Sequence, residues 1–553
     1  MNPGTRRWLY VVWLVLIGAF ALMHAVHLRA DFPNYSPWIF DWAKYTDEGW
    51  YGNAAIRQHL FGSWYIQGDF NPGVALPVLP FLEWLLFFVT GVTPEAARGL
   101  AVAFFVGDLV LAYLLVRAEG ARWAALLAVT LMVTSPFLYA FSRLAILEPL
   151  LMLFFLAALN LGVRLNDMQR PVWVSVAIGV LFTGMMLTKT TAIFLLPALA
   201  WAMLLPLLHR VFHAVRCVVA ALLAFAVTYG LWLAVVVERG LFADYKYMYT
   251  VNAYAKPREF YWPVVSAFWS FHGGLWADHV LIPLAGLVVV FSIVAWRVNS
   301  VQREEGQTAN PGVGRLLRDP VFGASILSVA GYITFMAVQN HPQPRYFVVV
   351  ALFCFVVIAR GAEVFLSTAR AEAVSESNKH TQALRLAGWA VVVVCVLAAG
   401  VNGARQVDFA LHPQYTFVNA AGQLAAYMDA HANGKRLLLS ISGDELSLMN
   451  HVPALCDDFV TPSGPVVDLP TKMAYYQPGW YAAWNDLDPN TLEDLHVHYS
   501  VEQVATFPAL DDPERNRLIL FKLHPLAGGV VRDESAQDLR DVLPDDLVQA
   551  PTE

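Results

Sequence analysis

Apolar runs of about 20 residues, the length at which a helix crosses a bilayer, recur from Trp8 to about residue 403. In lipid every backbone N–H and C=O must be paired internally, so such runs fold as helices or as a closed barrel. Barrel strands show ten-residue alternation of polar and apolar side chains; these runs are continuously apolar, which selects helices. Composition agrees: 58% of the 553 residues are hydrophobic and 14% charged, against about 45–50% and about 25% in soluble chains.

The runs lie at 8–27, 99–117, 123–141, 148–164, 171–188, 191–207, 214–236, 279–296, 321–339, 346–360 and 386–403. The first follows Arg6 and Arg7 and lacks a small-residue cleavage pattern, so it reads as an uncleaved helix and not a signal peptide. Basic turns mark the cytoplasmic side. They are Arg6/Arg7, Arg117/Arg122, Arg164/Arg170, Arg210/Arg216, Arg297–Arg318 and Arg360–Arg385. Eleven spans then place the N-terminus inside and everything after residue 403 outside. A twelfth apolar segment, 74–90, would invert this order if it spanned. It follows Asn71-Pro72-Gly73 and contains Pro77, Pro80 and Glu83, so it is expected to be a re-entrant or interfacial helix. The outer loops are 28–98, 142–147, 237–278 and 340–345, the two long ones rich in Trp and Tyr.

The remaining 404–553 segment is a different material. It holds 22 acidic and 9 basic residues, against a net charge of −7 for the whole chain. Helical and strand-like stretches alternate: 423–432 as helix, then 436–441, 500–506 and 517–523 as strands. An extracytoplasmic α/β domain is expected there, ending in an acidic, loosely ordered tail after about Arg532. The expected architecture is thus a multi-pass all-α transmembrane bundle, 1–403, with a C-terminal α/β domain, 404–553. Four scattered cysteines, Cys217, Cys354, Cys395 and Cys456, indicate neither a disulfide framework nor a thiolate metal site. Nothing points to nucleic acid.

Ionisable residues at the edge of apolar spans are costly and point to function. The first outer loop has Asp47-Glu48 among aromatics; one carboxylate there could accept a proton, or simply cap a helix. The second outer turn holds Arg143 and Glu148, readable also as an interfacial ion pair. Lys189, in Thr188-Lys189-Thr190, is a cation on the side where the positive-inside rule disfavours one. His341-Pro342-Gln343-Pro344-Arg345-Tyr346 opens a late span, and Arg345 offers a fork suited to phosphate oxygens. The 237–278 loop, with Tyr254, Trp262 and His272, is either an interfacial aromatic belt or a wall for a sugar or lipid. Gly443-Asp444-Glu445 could contact an acceptor, though an acidic helix start is the plainer reading. Taken together, every one of these groups falls on one face of the membrane.

This order of motifs resembles the C-type glycosyltransferases, in particular the protein O-mannosyltransferases and the lipid A aminoarabinose transferases. An Asp-Glu pair follows the first helix, a Pro-containing step precedes a short apolar helix, then come Ser-Arg-Leu-Ala-x-x-Glu-Pro, Thr-Lys and Pro-Arg-Tyr. The resemblance covers about residues 1–360. It implies a polyprenyl-phosphate sugar donor, a protein, lipid or glycan acceptor, membrane lipid around the site, hexosyl or pentosyl transfer on the outer face, and inversion at the anomeric carbon. It implies Asp47 as catalytic base and Glu48 as a positioning neighbour. Arg143 and Glu148 would shape the site, and Lys189 and Arg345 would hold the donor phosphate. From the residues themselves, Tyr346 joins that phosphate set and Tyr254, Trp262, His272 and His341 are candidates for a substrate loop. Relatives often have His-Pro-Pro where this chain has Asn71-Pro72-Gly73, so no histidine role transfers there. No cofactor is required by the residues; a divalent cation could assist, but no dense acidic cluster demands one. A bacterial inner membrane is the expected location. The competing class is a lipid or saccharide transporter or flippase; transporters show repeats and charges at mid-span, and this chain shows neither.

Overall fold

A computed structural model describes residues 3–31, 47–118, 122–251, 264–265, 277–304, 314, 316–338, 344–372, 379–431, 436–457, 460, 466–509 and 516–526. Among these, nine helices are long and apolar enough to cross a membrane, or ten if one bent pair counts as a span. The protein is an integral membrane protein.

The bundle begins with α1 (Pro3–Met23). A shorter helix, α2 (Glu48–Phe61), follows, then α3 (Val78–Thr90) and α4 (Pro94–Arg117). At about 1.5 Å per residue, the 13 residues of α3 cannot cross a bilayer, in keeping with the interfacial role expected for 74–90. Thr93 caps α4 by accepting from Ala96 N, with Pro94 in the first turn where its missing N–H costs nothing. The expected single span 123–141 is instead two helices, α5 (Arg122–Thr134) and α6 (Pro136–Ser142), bent by 66°. Ser135 causes the break: its hydroxyl caps Leu138 N, and Pro136 cannot donate to the preceding turn.

The remaining membrane helices are α7 (Leu147–Val163), α8 (Pro171–Thr188), α9 (Leu196–Leu204), α10 (Val211–Glu238), the short α11 (Phe242–Val251), α12 (Asp278–Glu304), α13 (Pro320–Val338), α14 (Phe347–Glu372) and α15 (Lys379–Leu411). Two sorts of all-round apolar helix occur. Residues 347–362 of α14 are buried throughout, so it is the axis of the bundle, touching α5, α12, α13 and α15. By contrast, α10 presents Phe212, Leu223 and Leu231 outward, as a lipid-facing helix must. The span expected at 386–403 is part of the longer α15, which continues without a break to Leu411.

Beyond α15 come α16 (Thr416–Ala430), β1 (Leu438–Leu439), α17 (Gly443–Asn450), β2 (Ala454–Leu455), α18 (Leu469–Tyr476), β3 (Trp480–Trp484), α19 (Pro489–His496), β4 (Tyr499–Pro508) and β5 (Arg517–Pro525). The sheet order is β2-β1-β3-β5-β4. Strands β1, β2 and β3 run parallel, while β5 is antiparallel to β3 and β4. Side chains alternate between faces. Leu438, Trp480, Ala482, Leu518 and Leu520 pack on α16, and Leu439, Tyr481, Ala483, Ile519 and Phe521 on the opposite side. That second face also buries Phe61 and Ile66 of the first loop region. That face is otherwise covered by Leu469, Met473 and Tyr476 of α18 and Leu495 of α19.

Candidate active site

The Asp47-Glu48 pair is positioned by α2. Asp47 sits where the N-cap of α2 belongs, yet its side chain makes no cap hydrogen bond. It reaches instead to Arg345, with Oδ2 at 2.5 Å from Nη1. Arg345 lies in the 3-10 turn Pro344–Tyr346 that opens α14. Its Nε is 3.7 Å from Glu148 Oε1, and the same oxygen accepts from Lys189 Nζ at 2.5 Å. Four residues expected in the site thus form one chain: Asp47, Arg345, Glu148, Lys189. They come from the starts of α2, α14 and α7 and from the end of α8.

Local backbone explains each placement. Pro149 follows Glu148 in the first turn of α7, where an anionic side chain is favoured by the helix dipole. Lys189 leaves α8 in extended conformation (φ −154°, ψ 124°) before the 3-10 segment Thr190–Leu195. Aromatic faces line the cations. The Lys189 ammonium lies 4.7 Å from the Tyr346 ring centroid, and the Arg345 guanidinium 5.6 Å from Tyr346 and 5.7 Å from Tyr51. Tyr332 of α13, hydrogen-bonded to Thr191 at 3.0 Å, stands behind Glu148. Glu148, Lys189 and Arg345 are buried; Asp47 keeps about a quarter of its side chain, 23%, exposed. Asp47 is thus the accessible end of a buried charged chain. Glu148 Oε2 has no hydrogen-bond partner among the described residues.

Two expected site residues are held elsewhere. Glu48 is fully buried and bidentate to Arg98, at 2.8 and 2.7 Å, and it accepts from Ala145 N at 2.8 Å. Arg98 also donates to the carbonyls of Leu28 and Ala30. With both oxygens engaged, Glu48 ties three segments together and has none turned to a substrate. Arg143 likewise donates to Val26 O and His27 O, at 2.6 and 2.7 Å, and to the Tyr139 hydroxyl. It pins the second turn to the end of α1. Tyr254, Trp262, His272 and His341 lie outside the described residues.

The sheet region supplies what sequence reasoning had set aside as a plain helix start. A side chain on Gly49 would meet the backbone of Asp444 and Glu445 at 2.2–2.3 Å, and one on Gly52 would meet Glu83 Oε2 at 2.3 Å. Gly49 lets α17 lie directly on α2, two residues from Asp47, while Gly52 makes room for Glu83 of α3. Glu445 is 2% exposed there, and its Oε2 is unpaired among the described residues. Burial, then the neighbouring Asp444, Asp47 and Glu48 charges, push its carboxyl well above the usual range.

Below it a second charged network locks the seat. Arg57 bonds Asp69 at 2.7 Å and Asp444 at 3.0 Å. Lys472 bonds the other oxygen of Asp69 at 2.5 Å, and Asn53 donates to Asp444. All five are buried. Asp31 adds a tie by accepting from Phe417 N and Val418 N at the start of α16. Arg98 and Arg57 carried a usable signal: both are cations outside the basic turns, as Lys189 is. Glu445 carried one in the Gly443-Asp444-Glu445 step, whereas Tyr51 and Tyr332 had none beyond residue type. Among the described residues, no group of three or more His, Cys, Asp or Glu side chains is arranged to hold a metal ion.

The helical bundle with its C-terminal α/β region has the C-type glycosyltransferase fold, which the chain shares with the solved structures described next. The sequence model of the family described as dolichyl-phosphate-mannose-protein mannosyltransferase matches residues 72–232. No curated protein matches the sequence. Two solved structures of ArnT from Cupriavidus metallidurans are similar. The apo state gives a TM-score of 0.57 at 13% identity, covering 92% of this chain and 98% of that one. The form bound to undecaprenyl phosphate gives 0.56 at 13%, covering 92% and 97%. The archaeal oligosaccharyltransferase AglB from Archaeoglobus fulgidus, in complex with an inhibitory peptide and a dolichol-phosphate, gives 0.51 at 12%, covering 90% and 70%.

Proposed function

We propose that this protein is a membrane glycosyltransferase that moves a sugar from a polyprenyl-phosphate carrier to an acceptor on the periplasmic face of a bacterial inner membrane, with inversion. The observation that carries the reading is the continuous chain Asp47–Arg345–Glu148–Lys189, which offers one accessible carboxylate and two buried cations side by side. The similarity to ArnT bound to undecaprenyl phosphate supports a carrier of that chemical kind.

In this mechanism the donor phosphate settles against Lys189 and Arg345. Preorganised cations in a dry site stabilise charge as it develops on the leaving phosphate. The acceptor enters beside Asp47, whose carboxylate takes the proton from the attacking hydroxyl or amine. The acceptor's oxygen or nitrogen bonds to the anomeric carbon as the carbon–phosphate-oxygen bond breaks on the opposite side. Phosphate oxygens replace the carboxylates that pair with the two cations, which frees Asp47 to act as base. Glu445 forms the wall on the acceptor side, because α17 reaches within contact of Gly49. The sugar, hexose or pentose, is set by contacts outside this charged chain.

The test uses protein in lipid nanodiscs, a panel of radiolabelled polyprenyl-phosphate sugars and a membrane extract as acceptor source. Wild type should transfer one label. Asp47→Asn should lose about 10²–10⁴-fold, the range for removing a general base, while still inserting and folding. Full turnover by the variant would overturn the mechanism. Substrate movement across the bilayer that survives loss of Asp47 would instead favour a transporter.

A further inference from the structure

A cavity of about 890 Å³ opens at the opposite end of the bundle, between α1, α5, α14 and α15. Asp47 lies beyond the far end of α1, so the length of that 21-residue helix, about 30 Å, separates the two places. The cavity falls in the range of ligand pockets, about 300–1,000 Å³. Three arginines line it, Arg6, Arg7 and Arg122, together with Trp13, Trp123 and Trp389 and aliphatic residues that include Leu127 and Val392.

Its walls are fixed before any ligand arrives. Trp13 Nε1–H donates to Thr130 Oγ1 at 2.7 Å, and the Tyr10 and Tyr113 hydroxyls pair at 2.7 Å. Trp13 and Trp123 rings lie 5.8 Å apart, with the Arg6 guanidinium 5.7 Å over Trp123. Among the described residues Glu363 is the one carboxylate on the lining, and Arg360 already holds it at 2.8 Å. Among the described residues neither Arg7 nor Arg122 has an ion-pair partner. Scattered interfacial arginines snorkel singly to headgroups. Here three converge on one aromatic-walled cavity whose floor is apolar, a combination that matches a phosphate head joined to a hydrocarbon chain.

We propose that this cavity binds one anionic phospholipid, its phosphate among Arg6, Arg7 and Arg122 and an acyl chain on the Leu127–Val392 floor. The guanidinium fork suits phosphate oxygens, and the net positive charge of the described lining residues selects an anionic over a zwitterionic lipid. The site is separate from the proposed transfer chemistry and does not depend on it.

The experiment is native mass spectrometry of the full chain taken from nanodiscs of phosphatidylcholine with about one tenth phosphatidylglycerol. Wild type should retain one phosphatidylglycerol. Arg6→Gln/Arg7→Gln/Arg122→Gln should retain at least tenfold less, while Arg297→Gln, outside the lining, should match wild type. Because neutralising the first helix's cations can disturb insertion, Arg122→Gln alone is the second variant, expected to fall about fivefold with unchanged melting temperature. Equal retention by wild type and Arg122→Gln would overturn the proposal. So would equal retention of phosphatidylcholine, or displacement of the lipid by millimolar inorganic phosphate, which would mark a free-phosphate site.

Discussion

Glu148 is the residue on which the candidate site turns. One of its oxygens serves both Lys189 and Arg345, and it is fully buried. Removing one member of a buried pair typically costs about 3–5 kcal/mol, because the other charge stays buried alone. Glu148 substitutions are therefore poor probes of chemistry, since they strand two cations. Lys189 is the better probe. Met matches its length and carries no charge, and it stays beside the Tyr346 ring that now faces the ammonium. Losing a charged hydrogen bond of about 1.5–3 kcal/mol predicts that Lys189→Met raises the donor KM by about 10- to 100-fold in the transfer assay. An unchanged donor KM would remove Lys189 from the phosphate site.

At the scale of elements, the decisive contact is α2 against α17. Two helices approach to backbone contact only where one lacks a side chain, and α2 supplies Gly49 there; Gly52, three residues on, makes room for Glu83 of α3 instead. A methyl group at Gly49 would overlap the Asp444 carbonyl at 2.3 Å. Backbone atoms cannot rotate aside, so overpacking of this kind costs about 1–3 kcal/mol or more. Gly49→Ala is expected to unseat α17, expose a protease-sensitive site within residues 436–457 and reduce transfer, while the membrane helices stay folded. Limited proteolysis with an intact α14 fragment checks it. A variant as resistant and active as wild type would show that the contact is dispensable.

At the scale of the molecule, the sheet region and the bundle form one body through the Arg57–Asp69–Asp444–Lys472 network and the cap from Asp31. Glu445 lies inside that seam, and its raised carboxyl gives the seam a pH dependence. The unfolded side chain ionises near its ordinary value, about 4.3, whereas burial beside Asp444 and Asp47 keeps the folded one protonated to higher pH. The folded state then binds more protons, so this group's contribution falls as pH rises from the unfolded value through the folded one. Gln imitates the protonated form. Glu445→Gln should therefore melt above wild type at pH 8, with the gap closing toward pH 5. A gap constant across that range would mean that Glu445 does not titrate in the seam.

The membrane class, the positions of most spans and four members of the charged chain were legible in the amino-acid sequence. The reason is scarcity. In an apolar span every charge is expensive, so Asp47, Glu148, Lys189 and Arg345 stand out without any coordinates. Strand-like stretches near 500–506 and 517–523 were also legible, because they are edged by turns, whereas the central β3, Trp480–Trp484, is buried on both faces and shows no alternation to read. The bend at Ser135 was hidden inside a run that is apolar on both sides of it. Partner choice was decided only in three dimensions. Glu48 and Asp47 are neighbours of the same type, yet one faces Arg98 and the other Arg345. A one-residue step at a helix start turns a side chain by about 100°, and the surrounding helices fix which cation it meets. Arg345 lies about 300 residues from Asp47, and Glu445 about 400 from Gly49. Local propensity carries no information over such separations; packing of whole helices and the glycine-lined seam brought those residues together.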